Sequence, residues 1–168
     1  MLSPGRRDDG HGPLVYVSSG SLAAGVPRFR GLSADVVAAL ADVPARVLLT
    51  VGEAGDREAL EPLPPHVHVE RWWPQRDVMP QASAMAGHGG FGTTMEGLAS
   101  GVPMVVVPLF ASDQILNAVR VQETGAGIAL EAPTRSPHSG VRCRARSATR
   151  PTASPPGRWQ WTSRRSRR

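Results

Sequence analysis

The chain contains no lysine, so all 19 of its basic residues are arginine. It has a single cysteine, Cys143, which rules out a disulfide within the chain and with it a disulfide-stapled scaffold. Aromatic residues are scarce, with one Tyr, three Phe and four Trp, so the adjacent pair Trp72-Trp73 stands out. Long apolar runs are missing too. The longest, 102–111, contains Pro103 and Pro108 and falls far short of the roughly 20 residues that a bilayer demands. The first twelve residues are polar and lack the apolar core of a secretory signal, which makes the cytoplasm the expected location and a membrane an unexpected partner. Acidic residues are absent from 132–168, a stretch with ten Arg and a net charge of +10. Residues 1–131 hold nine Arg and fourteen acids, a net charge of −5. The overall charge of +5 therefore belongs to the tail, and a body without a basic groove argues against nucleic acid as its partner.

What is present is enough for one domain of 168 residues with a real core. Short β-branched runs alternate with helical patterns. Strands are expected at 14–17, 46–51, 67–71, 83–87, 104–107 and 127–130. Helices are expected from 34 to 42 with Ser33 as cap, from 53 to 60, from 93 to 99 closed by Gly101, and from Ser112 or Asp113 through 123, stopped by Gly125. Such alternation predicts an α/β fold, a Rossmann-like parallel sheet with helices on both faces. The domain is expected over 13–132, after a flexible 1–12 and before a basic, low-complexity tail over 133–168. In such sheets the ligand sits beyond the carboxyl ends of the strands, so the loops at 18–21, 88–92 and 111–114 should open onto one edge.

Three local features carry candidate chemistry. His88-Gly89-Gly90-Phe91-Gly92-Thr93 lies between a strand and a helix. Glycines there let backbone N–H groups approach a phosphate, the helix N-terminus favours its charge, and the His can donate to a phosphate oxygen. Taken alone, the same residues make a tight turn with Thr93 and Glu96 as a capping box. Trp72-Trp73-Pro74-Gln75 follows a strand and offers a flat platform for a base, or else packs a core. Ser112-Asp113-Gln114, with Asn117 one turn on, can hold sugar hydroxyls or merely cap a helix. His66 and His68 alternate on a strand that reads as an exposed edge more readily than as a metal pair.

The order and spacing of these features resemble the donor-binding signature of the UDP-glycosyltransferases, the GT-B enzymes that glycosylate macrolides, flavonoids, lipids and xenobiotics. The family pattern runs W-x-P-Q, H-x-G-x-G-[ST]-x-x-E, G-V-P-x-x-x-x-P and D-Q-x-x-N-A. Here it reads Trp72 to Gln75, His88 to Glu96, Gly101-Val102-Pro103 with Pro108, and Asp113-Gln114 with Asn117-Ala118. Val15 to Leu22 also resembles the S-x-G-S loop that opens the C-terminal half. The resemblance implies transfer of a hexose, with inversion, from a UDP- or dTDP-sugar to a hydroxyl of a small-molecule acceptor. It implies that Trp72 stacks on the base and that Gln75 lies near the nucleoside. His88, Thr93, Ser21 and the backbone of Gly90–Gly92 would hold the diphosphate. Glu96 would accept from the ribose, and Asp113 and Gln114, with Asn117 beside them, would hold the transferred sugar. No cofactor and no metal are implied.

In that family the acceptor pocket and the base that deprotonates the acceptor belong to a separate N-terminal domain. No catalytic residue is therefore expected here, and the isolated chain is expected to bind donor without transferring it, unless a separate acceptor-domain chain completes the site. The tail departs from the family, which has helices at that point. Read one base over, GC-rich codons for 134–151 and 157–167 can encode helix-like runs in the family's order, which suggests a frameshift. As written, the segment reads as a disordered basic tail.

Overall fold

The computed structural model describes residues 12–20 and 31–131. The expectations for 1–11, for Ser21 and for the tail beyond 131 lie outside the described residues. Six strands, β1 (Leu14–Ser18), β2 (Arg46–Thr50), β3 (Val67–Glu70), β4 (Ala84–Gly87), β5 (Met104–Val106) and β6 (Gly127–Ala129), form one sheet. The sheet is parallel throughout, in the order β3-β2-β1-β4-β5-β6. The chain winds outward from β1 to β3, then returns to place β4 on the other side of β1. That reversal leaves a crevice between the carboxyl ends of β1 and β4, where Ser18 is the register partner of Gly87.

Strand side chains alternate between two cores, as the period of two requires. Leu14 and Tyr16 of β1, Leu48 of β2, Met85 of β4, and Met104 and Val106 of β5 face one side. There they meet Val78 of α2 (Gln75–Val78) and Ala118 and Val121 of α4 (Ser112–Glu123). Val17, Val47, Leu49, Val67 and Val69 face the other side and pack with Val37 of α1 (Leu32–Leu40). The sheet is thus covered on both faces, as continuous apolar strands demand.

The stop signals act as the sequence predicts. After α3 (Phe91–Ala99), Gly101 at φ +64 sends its N–H to Leu98, and Val102 bonds back to Gly97. After α4, Gly125 at φ +71 bonds to Gln122, and Ala126 bonds to Val121. Both are Schellman closures, and each delivers the chain straight into the next strand.

The helix starts differ from expectation. Ser33 does not cap α1. Gly31, at φ +82, occupies the N-cap position and no side chain bonds there. The helix expected over 53–60 shrinks to a single 3-10 turn at Glu58–Leu60. The chain first makes a glycine turn, Gly55 N–H to Gly52 O, with Gly55 pressed against Val51, and only six residues then remain before Pro62. Nor does a 93–96 capping box open α3. The helix begins two residues earlier, with Gly90 as its N-cap. At α4 the cap position falls on Ala111, not Ser112 or Asp113. Two short helical turns, α2 and Met79–Gln81, follow the Trp-Trp-Pro-Gln segment where the periodicity is too brief to announce them.

Candidate functional site

The crevice at the β1–β4 switch opens into a cavity of about 350 Å³. Its floor is set by the strand ends. Its head is the N-terminus of α3, whose first N–H groups have no partner within the helix and carry the positive end of its dipole. His88 leaves β4 directly beside them. Its imidazole is wedged between two glycines: a Cβ built on either Gly20 or Gly90 would meet the ring inside 3.0 Å. Gly20 stands at φ +83, so its backbone conformation as well as this contact calls for glycine. The ring's Nδ1 is buried and has no hydrogen-bond partner.

Burial pushes the His88 pKa below its ordinary value of 6.5, and the Ser18 backbone and the Asp113 charge only partly restore it. The Ser18 backbone helps without closing a hydrogen bond onto Nδ1. His88 is therefore neutral at pH 7 and presents one N–H. This has a consequence for stability. Below pH 6.5 the unfolded chain takes up a proton that the folded chain refuses, so the His88 contribution is complete above 6.5 and is lost as pH falls through the lowered pKa. Urea midpoints at pH 7.5 and 5.5 should differ more for wild type than for His88→Asn. Equal differences would show that burial of this ring is not coupled to folding.

Across the cavity stands Trp72, just past β3 and 62% exposed. An indole left open to solvent beside a cavity is free to receive a flat ligand. Gln75, at the start of α2, donates from Nε2 to the Thr93 hydroxyl at 2.8 Å and to the Tyr16 hydroxyl at 3.3 Å. Six of the expected site residues, Trp72, Gln75, His88, Gly90, Gly92 and Thr93, thus line one cavity although they come from two separate segments.

The other expected residues stand elsewhere. Glu96 lies one turn further along α3 and is not part of the cavity lining. Asp113 is exposed in the first turn of α4, near enough for its charge to act on His88. Gln114 is buried, and its Oε1 accepts from the N–H groups of Leu109 at 2.9 Å and Phe110 at 3.1 Å. Asn117 is buried as well and donates to Gly89 O at 2.8 Å. These two amides tie α4 to the loop before it and to the glycine loop. Gly89, at φ +84, backs onto Gln114 O so closely that a side chain there would collide with backbone. His66 and His68 are engaged separately, with Leu40 O and Glu70, on the edge strand β3 and its approach.

Sequence reasoning missed Tyr16 and Thr50. Both line the cavity, and their hydroxyls meet at 3.1 Å. Tyr16 sits in an aliphatic strand and reads there as core. The sole signal was that it is the chain's only tyrosine.

The family described as erythromycin biosynthesis protein CIII-like, C-terminal domain, matches residues 34–151, more than half of the chain. The NDP-glycosyltransferase YjiC of Bacillus subtilis (strain 168) is 35% identical over 118 residues, which is 70% of this chain and 29% of that protein. The demethyllactenocin mycarosyltransferase of Streptomyces fradiae is 40% identical over 103 residues, 61% of this chain and 22% of its own length. Among solved structures, the glycosyltransferase VinC in complex with dTDP superposes with a TM-score of 0.65 at 30% identity, over 82% of this chain and 33% of that one. SnogD from Streptomyces nogalater gives 0.64 at 32% identity, over 79% and 35%. The chain spans about a quarter to a third of the length of these relatives. No helix among the described residues is long and apolar enough to cross a membrane. With its 3-2-1-4-5-6 parallel sheet and its glycine loop at the switch point, this chain belongs to the erythromycin biosynthesis protein CIII-like C-terminal domain family, the C-terminal half of GT-B glycosyltransferases.

Proposed function

We propose that this domain holds the nucleoside diphosphate of a UDP- or dTDP-sugar, as the donor half of an enzyme that transfers a hexose with inversion to a small-molecule hydroxyl. One observation carries the reading: a neutral, buried imidazole wedged at the head of α3 shares a cavity with an open indole. An anion-accepting end and a base-accepting end, joined by a crevice, match a nucleotide's two chemistries. In this reading Trp72 stacks on the base. His88, the Thr93 hydroxyl and the N–H groups around Gly90–Gly92 hold the diphosphate, with Ser21 added to them by the family resemblance. Glu96 accepts from the ribose, and Asp113 faces the sugar. Gln114 has its carbonyl oxygen occupied by backbone, so only its NH₂ is left to offer to a sugar hydroxyl. Asn117 serves by holding the glycine loop. The helix dipole and His88 meet the phosphate charge, and no metal is called on.

Calorimetric titration of the purified chain with UDP and with dTDP tests this. One of the two should bind, and Trp72→Ala should weaken it by about 10- to 100-fold, the worth of one base–aromatic stack. Failure of both nucleotides to bind would remove the reading. The resemblance assigns the catalytic base to the other half of such enzymes. The chain alone, in the cytoplasmic setting expected for it, is therefore proposed to bind donor without appreciable transfer. Sugar transfer to an aglycone by the purified chain would overturn that part.

A further inference from the structure

The hydroxyls and amide at the cavity floor form a continuous chain across the sheet edge. Thr50 of β2 reaches Val17 O at 3.5 Å, and Tyr16 of β1 meets Thr50 at 3.1 Å. Gln75 Nε2 donates to both Tyr16 and Thr93. Protons can run through this chain in one order with each finding an acceptor: Thr50 to Val17 O, Tyr16 to Thr50, and Gln75 to Tyr16 and Thr93. The Tyr16 side is almost fully buried, at 1% exposure, so an unmatched hydroxyl there would be costly. The consequence falls on Thr93. Its oxygen accepts from Gln75, so its own proton must point elsewhere, and Thr93 lines the cavity. Phosphate oxygens only accept, so a threonine with its proton turned outward is the form that an anion requires.

We propose that Gln75 is a positioning residue for phosphate, not a contact for the nucleoside. By donating to Thr93 it makes that hydroxyl an obligate donor into the crevice, and its second bond, to the Tyr16 hydroxyl, anchors the same amide nitrogen to the cavity floor. This rests on the donor-site reading above and revises the role of Gln75 within it. In the opposite orientation the Gln75 carbonyl would draw the Thr93 proton away from the ligand, and the same residues would then oppose anion binding.

The test is a double-mutant cycle on the full chain, with Gln75→Met and Thr93→Val, titrated with UDP and dTDP and with uridine and thymidine. Thr93→Val removes the hydroxyl at constant shape, and Gln75→Met removes the donor without adding charge. The diphosphate that binds wild type should weaken about 10-fold in Thr93→Val and about 5-fold in Gln75→Met. The double variant should be no weaker than Thr93→Val alone, because Gln75 then has no hydroxyl to orient. Thr93→Ser, which keeps the proton, should stay within about threefold of wild type, and nucleoside affinity should move less than twofold in every variant. Additive losses of about 50-fold in the double variant would overturn the proposal. So would a loss of nucleoside binding in Gln75→Met equal to the diphosphate loss, since Gln75 would then touch the nucleoside itself. If wild type binds neither diphosphate, the donor-site reading fails and the proposal falls with it. If wild type binds and the cycle is additive, only the proposal falls.

Discussion

Gly90→Ala should weaken nucleoside diphosphate binding by about two orders of magnitude while leaving the fold nearly as stable as wild type. Gly90 has φ −60 and ψ 142, a conformation open to alanine, so the backbone itself does not object. The only obstacle is His88, whose Nε2 and Cε1 would lie inside 3.0 Å of the new methyl. The ring cannot retreat to the other side, because Gly20 already touches it there. It must swing out of its wedge, which a side chain can do cheaply, and the crevice loses its side-chain donor. A hydrogen bond to a charged partner contributes about 1.5–3 kcal/mol, or about 10- to 100-fold in affinity, and a methyl over the α3 N-terminus obstructs the amides besides. Calorimetry should give a loss in Gly90→Ala at least as large as that in His88→Ala. An affinity within threefold of wild type in Gly90→Ala would show that the wedged ring is not where the anion binds. Gly92→Ala is the counterpart for stability. Nothing lies within 4 Å of its Cβ position, and it sits in the second position of α3. Helix propensity alone should then raise stability by up to about 1 kcal/mol.

Gly127→Ala should cost about 3 kcal/mol of stability, the upper end of what one added methyl costs in a packed interior. Gly127 is the register partner of Met104, and its Cβ would run into the Met104 carbonyl group and Cα. Those are backbone atoms of a buried strand, and they cannot rotate aside. β6 would have to slide away, giving up the Met104 N–H to Ala126 O bond at 3.1 Å and the Leu130 N–H to Val106 O bond at 2.8 Å. The same substitution at Gly97 meets the side chains of Met104 and Met85, their thioether sulfurs first. Methionine side chains adapt, and the helix gains from alanine, so Gly97→Ala should cost less than about 1 kcal/mol. Urea denaturation of both variants decides the point. A Gly127→Ala variant within 1 kcal/mol of wild type would show that β6 is free to move off β5.

Much of this architecture was readable in the residues. Each of the six strands appears within a residue or so of its expected place, because a strand buried on both faces must be a continuous apolar run and little else in a sequence looks like one. Helix ends were legible for a related reason. Gly101 and Gly125 adopt the left-handed conformation that glycine tolerates best, so the residue type and the geometry point the same way. Helix starts were not legible. Ser33, Ser112 and Asp113 have the chemistry of caps, but where a helix begins is settled by how the preceding loop leaves the sheet. The sheet delivers Gly31 and Ala111 to the cap positions instead.

The site divides along the same line. His88, Gly90, Gly92 and Thr93 could be grouped because they are neighbours in the chain at a strand–helix junction, where glycines suit either a tight turn or a phosphate. Trp72 and Gln75 could be joined to them only through the order of the family's motifs. What the sequence alone determined was the set of strands, their parallel class, the helix stops and the place of the glycine loop between β4 and α3, all of them local properties of periodicity and residue type. The tertiary structure decided which side of β1 receives β4, and therefore that Ser18, Gly20 and His88 face one another across a crevice. It also decided that Gln114 and Asn117 turn inward onto backbone, and that Tyr16 and Thr50, ordinary strand residues by pattern, complete the cavity floor. Strand order and hydrogen-bond direction depend on which segments meet, and residues 34 or 59 positions apart along the chain carry no local mark of that meeting.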